Sequence, residues 1–578
     1  MALLKTAMKP DLWPQPWDLK LTWLDRVFTS LDSTNPPPNY GNICTGLELL
    51  TFLLGVMKRE QILALLRPIQ KGLTSCVNNS NTKVVRLTHA FLAKLMGMFP
   101  TEPHASGMTS KLEELEVLYT SVSKFILDGL ANYEKNQAAL PAGLFGPIMI
   151  LKAACANNAA YVDRVLPPLM RVLQRLHKEH NQLADQNPVG TEILVIGLEL
   201  VKNRMGAMQA DMRKTFIGTI LVKLIEGTRE AKLMKAITKI LDEWIKVPNQ
   251  RDNPNHPALK EKCLLLVRLM TYVERNFPDD LELNAQFLEI VNFVYRDPFL
   301  KTSELAQKLE PAFLQGLRCV QPTVRAKFFE IFDASMKRRV YERIYYLTCS
   351  QNWEAIGPHY WIKQCIELLF TTAEPSKPIQ LATTDAMLPS MTMIIETSNN
   401  EQRAVFEQYT NLGIKREPSE SGESPESHEN DELDIEFNNS EVKKEEPQTS
   451  TKQEILAQLI SRQSKFMETV REVKTMHFLR AAAQLCHLDT SLAERVWLDL
   501  FPRIWQILTD RQRTSLTMEM VPFICSGTHE IQKNCQPSAI NTFVEALSRC
   551  NPPIPIRPTV MRYLGKTHNL WHRKTLNL

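Results

Sequence analysis

Residues 61–99 read QILALLRPIQKGLTSCVNNSNTKVVRLTHAFLAKLMGMF, two apolar-striped stretches on either side of a polar turn. The first, 61–77, repeats its apolar residues at helical spacing and runs into Asn78-Asn79-Ser80-Asn81. The second opens at Thr82, where Val84, Thr88, Phe91 and Leu95 form one stripe and Asn81 is placed to cap the helix start. The stretch therefore predicts a helical hairpin. One hairpin cannot bury its apolar faces alone, so it must stack on neighbours.

The same pattern extends in both directions. Trp17, Leu21, Leu24, Phe28 and Leu31 share one helical stripe, which Pro36-Pro37-Pro38 stops. Further helices are expected over 47–56, 83–99, 111–135, 144–156, 168–177, 192–202, 212–225, 231–245, 259–276 and 283–295. Leu305, Leu309, Ala312, Phe313, Gly316 and Leu317 form one face, and Pro322 then suits the first turn of a following helix. Val85-Arg86 and Val324-Arg325-Ala326 resemble openings of the second helix of HEAT repeats. The 239 residues between those arginines accommodate about five or six units of ~40–47 residues. The expected fold is all-α: a HEAT/TPR-like α-solenoid of stacked antiparallel helix pairs, with a compact helical bundle as the competing architecture.

Composition supports this and removes other classes. Of 578 residues 44% are hydrophobic, enough for a globular core, while only 20 are Gly. That scarcity disfavours phosphate-cradling loops and hairpin-rich sheets. The most apolar window, 47–57, is shorter than a bilayer span and contains Glu48, so no membrane segment is expected. Eleven Cys without a Cys-x-x-Cys pair, and no secretory leader before Asp11, fit reduced thiols in an intracellular protein.

Net charge is +4, but residues 411–450 carry four basic and twelve acidic groups, a balance of −8 that leaves +12 elsewhere. With few apolar residues to offset ordering entropy, this stretch is expected to be disordered. The expected organisation is a solenoid over 1–410, an acidic disordered loop over 411–452, and a continuation of the solenoid over 453–578. A charge of +12 without a dense basic stripe argues against nucleic acid as a direct partner.

No P-loop, dinucleotide fingerprint, zinc-protease helix, nucleophile elbow or kinase catalytic loop occurs, so no catalytic, cofactor-binding or metal-binding residue is assigned. Cys525, His529, Cys535 and Cys550 are too irregularly spaced for a zinc site and read as scattered thiols beside a surface His. Lys337-Arg338-Arg339 with Arg343 reads as a solvated helix end that could meet phosphate or an import receptor. Trp353, Trp361, Trp497, Trp505 and Trp571 read mainly as core residues, with recognition anchors as the alternative. Ile414-Lys415-Arg416-Glu417 and Val442-Lys443-Lys444-Glu445 fit the apolar-Lys-x-Glu pattern of SUMO acceptors, making Lys415 and Lys443 candidates. Ser424-Pro425 offers a proline-directed phosphosite at Ser424, and Met57-Lys58-Arg59-Glu60 matches the SUMO pattern on an expected helix.

Three segments carry a family resemblance: Trp17-Asp18-Leu19-Lys20-Leu21-Thr22-Trp23-Leu24-Asp25-Arg26-Val27-Phe28, Val340-Tyr341-Glu342-Arg343-Ile344-Tyr345-Tyr346-Leu347, and Asn352-Trp353-Glu354-Ala355-Ile356-Gly357-Pro358-His359-Tyr360-Trp361-Ile362. With the acidic stretch, they resemble the central helical region of the pseudokinase branch of the phosphatidylinositol-3-kinase-related family. The resemblance implies an interior HEAT-repeat fragment that is not an enzyme. It also implies a nuclear scaffold of histone acetyltransferase coactivator complexes, with complex subunits and transcriptional activators as partners. The alternative reading is a helical-repeat adaptor for nuclear transport or nucleic acid, whose binding to polyanions would weaken steeply with salt.

Overall fold

A computed structural model describes residues 21–100, 113–182, 188–247, 254–350, 361–378, 399–410, 452–525, 530, 532–535 and 538–569. Among these every regular element is helical, apart from one isolated bridge between Pro378 and Lys474. The chain divides into two compact units, 1–332 and 333–578.

The first unit is a run of helix pairs. Its first pair is α1 (Trp23–Thr29) and α2 (Tyr40–Leu53). In the next, α3 (Arg59–Leu66) and α4 (Gln70–Val77) precede α5 (Thr82–Met98). Then come α6 (Glu113–Lys135) with α7 (Phe145–Cys155), and α8 (Leu166–Gln182) with α9 (Pro188–Val201). The pair after that starts with α10 (Ala210–Thr215) and α11 (Val222–Gly227) and returns along α12 (Ala231–Lys246). Then α13 (Leu259–Asn276) pairs with α14 (Leu281–Arg296). Last, α15 (Glu304–Lys308) and α16 (Glu310–Leu317) lead into α17 (Pro322–Ala334), whose end carries the unit boundary.

Like helices stack on like, which makes two layers. In one, α1 packs on α4, α4 on α6, α6 on α8, α8 on α11, α11 on α13 and α13 on α15. In the other, α2 packs on α5, α5 on α7, α7 on α9, α9 on α12 and α12 on α14. The apolar stripes face each other between the layers. Val84, Phe91 and Leu95 of α5 are fully or almost fully buried, as are Leu24 and Phe28 of α1. Each such side chain contributes about 1.5–3 kcal/mol.

The expected helices form with boundary shifts that have local causes. The stretch 61–77 is split, because Pro68 lacks an N–H and the chain takes a 3-10 turn over Arg67–Ile69. The stretch 212–225 contains a π-helical turn, Phe216–Leu221, which points Phe216, Ile217, Ile220 and Leu221 inward. Asn81 caps α5, its Oδ1 accepting from the N–H groups of Lys83 and Val84. In the Trp17–Leu31 stripe, Leu21, Leu24 and Phe28 are buried and Trp23 is half exposed, while Trp17 lies outside the described residues. Val85-Arg86 and Val324-Arg325 both lie near the start of a helix, but their arginines differ. Arg86 is exposed, lies 5.0 Å over the Phe145 ring and makes a bidentate pair with Glu192, whereas Arg325 is buried and donates to the Cys319 carbonyl.

In the second unit, α18 (Val340–Cys349) pairs with α19 (Trp361–Phe370). Next, α20 (Asn400–Thr410) packs on α21 (Lys452–Glu472), joined by Val405, Ile455 and Leu459. A hairpin of α22 (Thr475–Leu488) and α23 (Thr490–Ile507) rests on α19. Finally, α24 (Asp510–Cys525) packs on α18 and α25 (Ala539–Ser548) on α23, before α26 (Pro558–Thr567). The acidic stretch 411–450 lies outside the described residues.

Close layer packing fixes some side-chain sizes. A Cβ on Gly129 of α6 would sit 2.2 Å from Cγ of Pro147 in α7, a ring that cannot rotate away. Gly129→Ala should therefore lower stability by about 1–3 kcal/mol, read as a drop in the urea midpoint without a change in slope. An unchanged midpoint would show that the two helices can separate freely.

Candidate docking surfaces

The polar groups that join one repeat to the next have a common geometry. A helix leaves its last four carbonyls without partners. In the first unit several of these accept from a side chain one repeat away. Lys94 of α5 donates to Thr51 O near the end of α2, at 2.9 Å. Arg175 of α8 reaches the end of α6, donating to Tyr133 O, to Asn136 O and Gln137 O at 2.8 Å each, and to Ala139 O at 3.2 Å. The same guanidinium lies 4.1 Å over the Tyr133 ring and pairs with Glu179, which accepts the Tyr133 hydroxyl. Trp244 of α12 donates its indole N–H to Lys202 O just past α9, at 3.0 Å. Lys262 of α13 in turn donates to Trp244 O at 2.7 Å.

Carboxylates bridge the same step elsewhere. Asp25 accepts from the Gly72 N–H at 2.7 Å, Asp32 from Ser75 at 2.6 Å, and Glu261 from Arg213 at 2.8 Å. His180 and Thr228 are 2.9 Å apart in the interior, where burial holds the imidazole below its usual pKa. The partners in most of these contacts are 42–48 positions apart in the chain. In the second unit, Trp505 repeats the move by donating to Pro552 O, 47 positions on.

Two hollows open between helices. In the first unit, a groove of about 720 Å³ runs between α4 and α6, lined by Thr74, Asn78, Ser121, Lys124, Asp128 and Asn132 among others. In the second, a hollow of about 300 Å³ beside α18 is lined by Met336, Lys337, Tyr341, Glu342, Arg343, Tyr345 and Tyr346.

Of the residues singled out from sequence, Lys415, Lys443 and Ser424 lie outside the described residues, as do His529, Trp353 and Trp571. Lys58 is exposed at the start of α3, with Met57 buried behind it. Cys525 is exposed, Cys535 half-buried and Cys550 buried, and among the described residues no three His, Cys, Asp or Glu side chains are placed to hold a metal ion. Burial pushes the thiols of Cys155 and Cys550 up to about 12.

Arg343 does not belong with the exposed Lys337-Arg338-Arg339. It is 1% exposed and is tied to Asp333 at 2.5 Å, Thr371 at 2.8 Å and the Lys337 carbonyl at 2.9 Å. Trp497 is a core residue, 5.3 Å from the Phe501 ring and 4.9 Å from that of Phe543, while Trp361 opens α19. The carbonyl-capping residues Lys94, Arg175, Trp244 and Lys262 escaped the sequence reading. Nothing in the local pattern separates them from surface or core residues.

Stacked antiparallel helix pairs, bonded at a step of one repeat, define a HEAT-type repeat protein. Residues 1–550 match the family described as the Tra1 HEAT repeat ring region, and the chain belongs to that family. Over its full length it is 52% identical to the human transformation/transcription domain-associated protein and 45% identical to the Drosophila melanogaster transcription-associated protein 1. It is 20% identical, over 96% of the chain, to the Saccharomyces cerevisiae SAGA complex/NuA4 acetyltransferase complex subunit TRA1. The chain spans 15% of the length of the human and fly proteins and 13% of the yeast one.

Lys262 yields a pH signature. It is 2% exposed, and burial pushes its ammonium down to about 8 from 10.5. Between those values the unfolded chain holds more protons, so the penalty from this group is full below about pH 8 and fades as pH rises toward 10.5. Relative to the wild type, the stability of Lys262→Met should therefore fall as pH is raised from 7 to 10 in paired thermal melts. A pH-independent difference would mean that the ammonium is solvated.

Proposed function

We propose that this chain is a non-catalytic scaffold segment of nuclear histone acetyltransferase coactivator complexes. Its helical surfaces would dock other subunits and transcriptional activators. The observation that carries this reading is the repeat stacking of the first unit, in which polar side chains join one helix to the next and a hollow stays open between helices. Membership of the Tra1 ring family supports it, as do the names of the fission and budding yeast relatives, both subunits of SAGA and NuA4 acetyltransferase complexes.

Residues 411–452 form, in this reading, an acidic excursion within one repeat stack. Support comes from the helices on either side, α20 and α21, which pack on each other through Val405, Ile455 and Leu459. The excursion would present Lys415 and Lys443 as SUMO acceptors and Ser424 as a phosphosite, because an extended lysine between an apolar residue and a carboxylate can enter a conjugating enzyme.

The test is crosslinking mass spectrometry on the complex purified from nuclei. Lysines on the outer faces of the stack should crosslink to acetyltransferase-complex subunits, and the same spectra should contain modified peptides covering Lys415 and Lys443. Crosslinks confined to this chain would remove the scaffold role, and uniformly unmodified peptides would remove the acceptor sites.

A further inference from the structure

The hollow beside α18 is walled by tyrosines. Tyr341, Tyr345 and Tyr346 share one side of the helix, and with Met336, Lys337, Glu342 and Arg343 they bound about 300 Å³, a volume at the small end of ligand sites. The Tyr341 and Tyr345 rings have centroids 6.0 Å apart and planes inclined at 40°, so the two do not close face to face on each other.

The charges around the hollow select the sign of its occupant. Aromatic faces carry a negative potential that attracts cations, and alkylated ammonium groups fit such walls because methyl groups pack where water would otherwise be held. The Arg343 guanidinium has no exposed side-chain surface and directs its charge to Asp333 at 2.5 Å. Cys349 and, less strongly, Glu519 of α24 raise the pKa of the Tyr345 phenol, which is the mark of a negative potential at that ring. An alkylammonium already stands at the rim: the Lys337 side chain, 81% exposed, holds its Nζ 3.3 Å from Oε1 of Glu342. A pair so exposed contributes little and is readily displaced.

We propose that this hollow takes a methylated lysine side chain from another protein, with the trimethylammonium head against Tyr341, Tyr345 and Tyr346 and Glu342 as its counter-ion. Lys337 competes for the same carboxylate and sets the threshold an incoming cation must exceed. An unmodified lysine is the poorer guest, because its compact ammonium keeps its water and offers no methyl surface to the rings. The site stands on residues 336–346 and on α24, and is independent of acetyltransferase-complex membership.

The experiment titrates the full chain with the tripeptide glycyl-trimethyllysyl-glycine, with its unmethylated form, and with the neutral isostere in which carbon replaces the quaternary nitrogen, each followed by saturation-transfer NMR. The trimethylated peptide should bind about tenfold more tightly than either control. Tyr345→Leu keeps an apolar wall but removes the ring, and should weaken binding about tenfold, whereas Tyr345→Phe should bind like the parent. Lys337→Met frees Glu342 and should tighten binding about threefold, a gain that misfolding cannot produce. No binding, equal binding of the neutral isostere, or an affinity unchanged in both Tyr345→Leu and Lys337→Met would overturn the proposal.

Discussion

The structure depends on one constraint: a helix cannot satisfy its last carbonyls by itself, and in a stack the next repeat is the nearest source of donors. Lys94, Arg175, Trp244 and Lys262 each reach back to the end of a preceding helix. The apolar stripes pull the layers together, and where they pack closely they limit sliding. Directional bonds to terminal carbonyls add to that register. The Trp244 indole reaches Lys202 O only when α12 lies one repeat step along from α9.

That division of labour explains the charge economics. Surface pairs such as Arg86 with Glu192 are largely hydrated and contribute at most about 1 kcal/mol each. The buried donors matter more, since each satisfies a carbonyl that would otherwise be desolvated alone. Lys262 shows the tension. It closes the end of α12 but carries a charge into an apolar layer, and its ammonium gives up its proton more readily as a result.

The fold was legible because helical periodicity survives in every pair, and Asn81 and Pro322 mark helix starts by mechanisms that need no tertiary context. The breaks at Pro68 and Phe216–Leu221 were less legible. A proline after one helical turn and a π-turn both leave the apolar spacing nearly intact. Arg343 was misassigned because a basic residue four positions from a basic run reads as surface, and only the fold shows Asp333 and Thr371 waiting for it. For the docking surfaces, sequence shows which residues are apolar but not which face remains open, so the hollow beside α18 became visible only once its neighbours were placed.

If the repeats are joined step by step, a perturbation at one junction should stay near it. Native-state hydrogen exchange on Trp244→Phe tests this directly, because the substitution removes one inter-repeat bond and keeps the aromatic ring. The account predicts faster exchange in α9, α12 and α13, with wild-type protection in α2 and α5. Equal acceleration throughout the first unit would contradict it, showing a single cooperative core in place of a chain of neighbours.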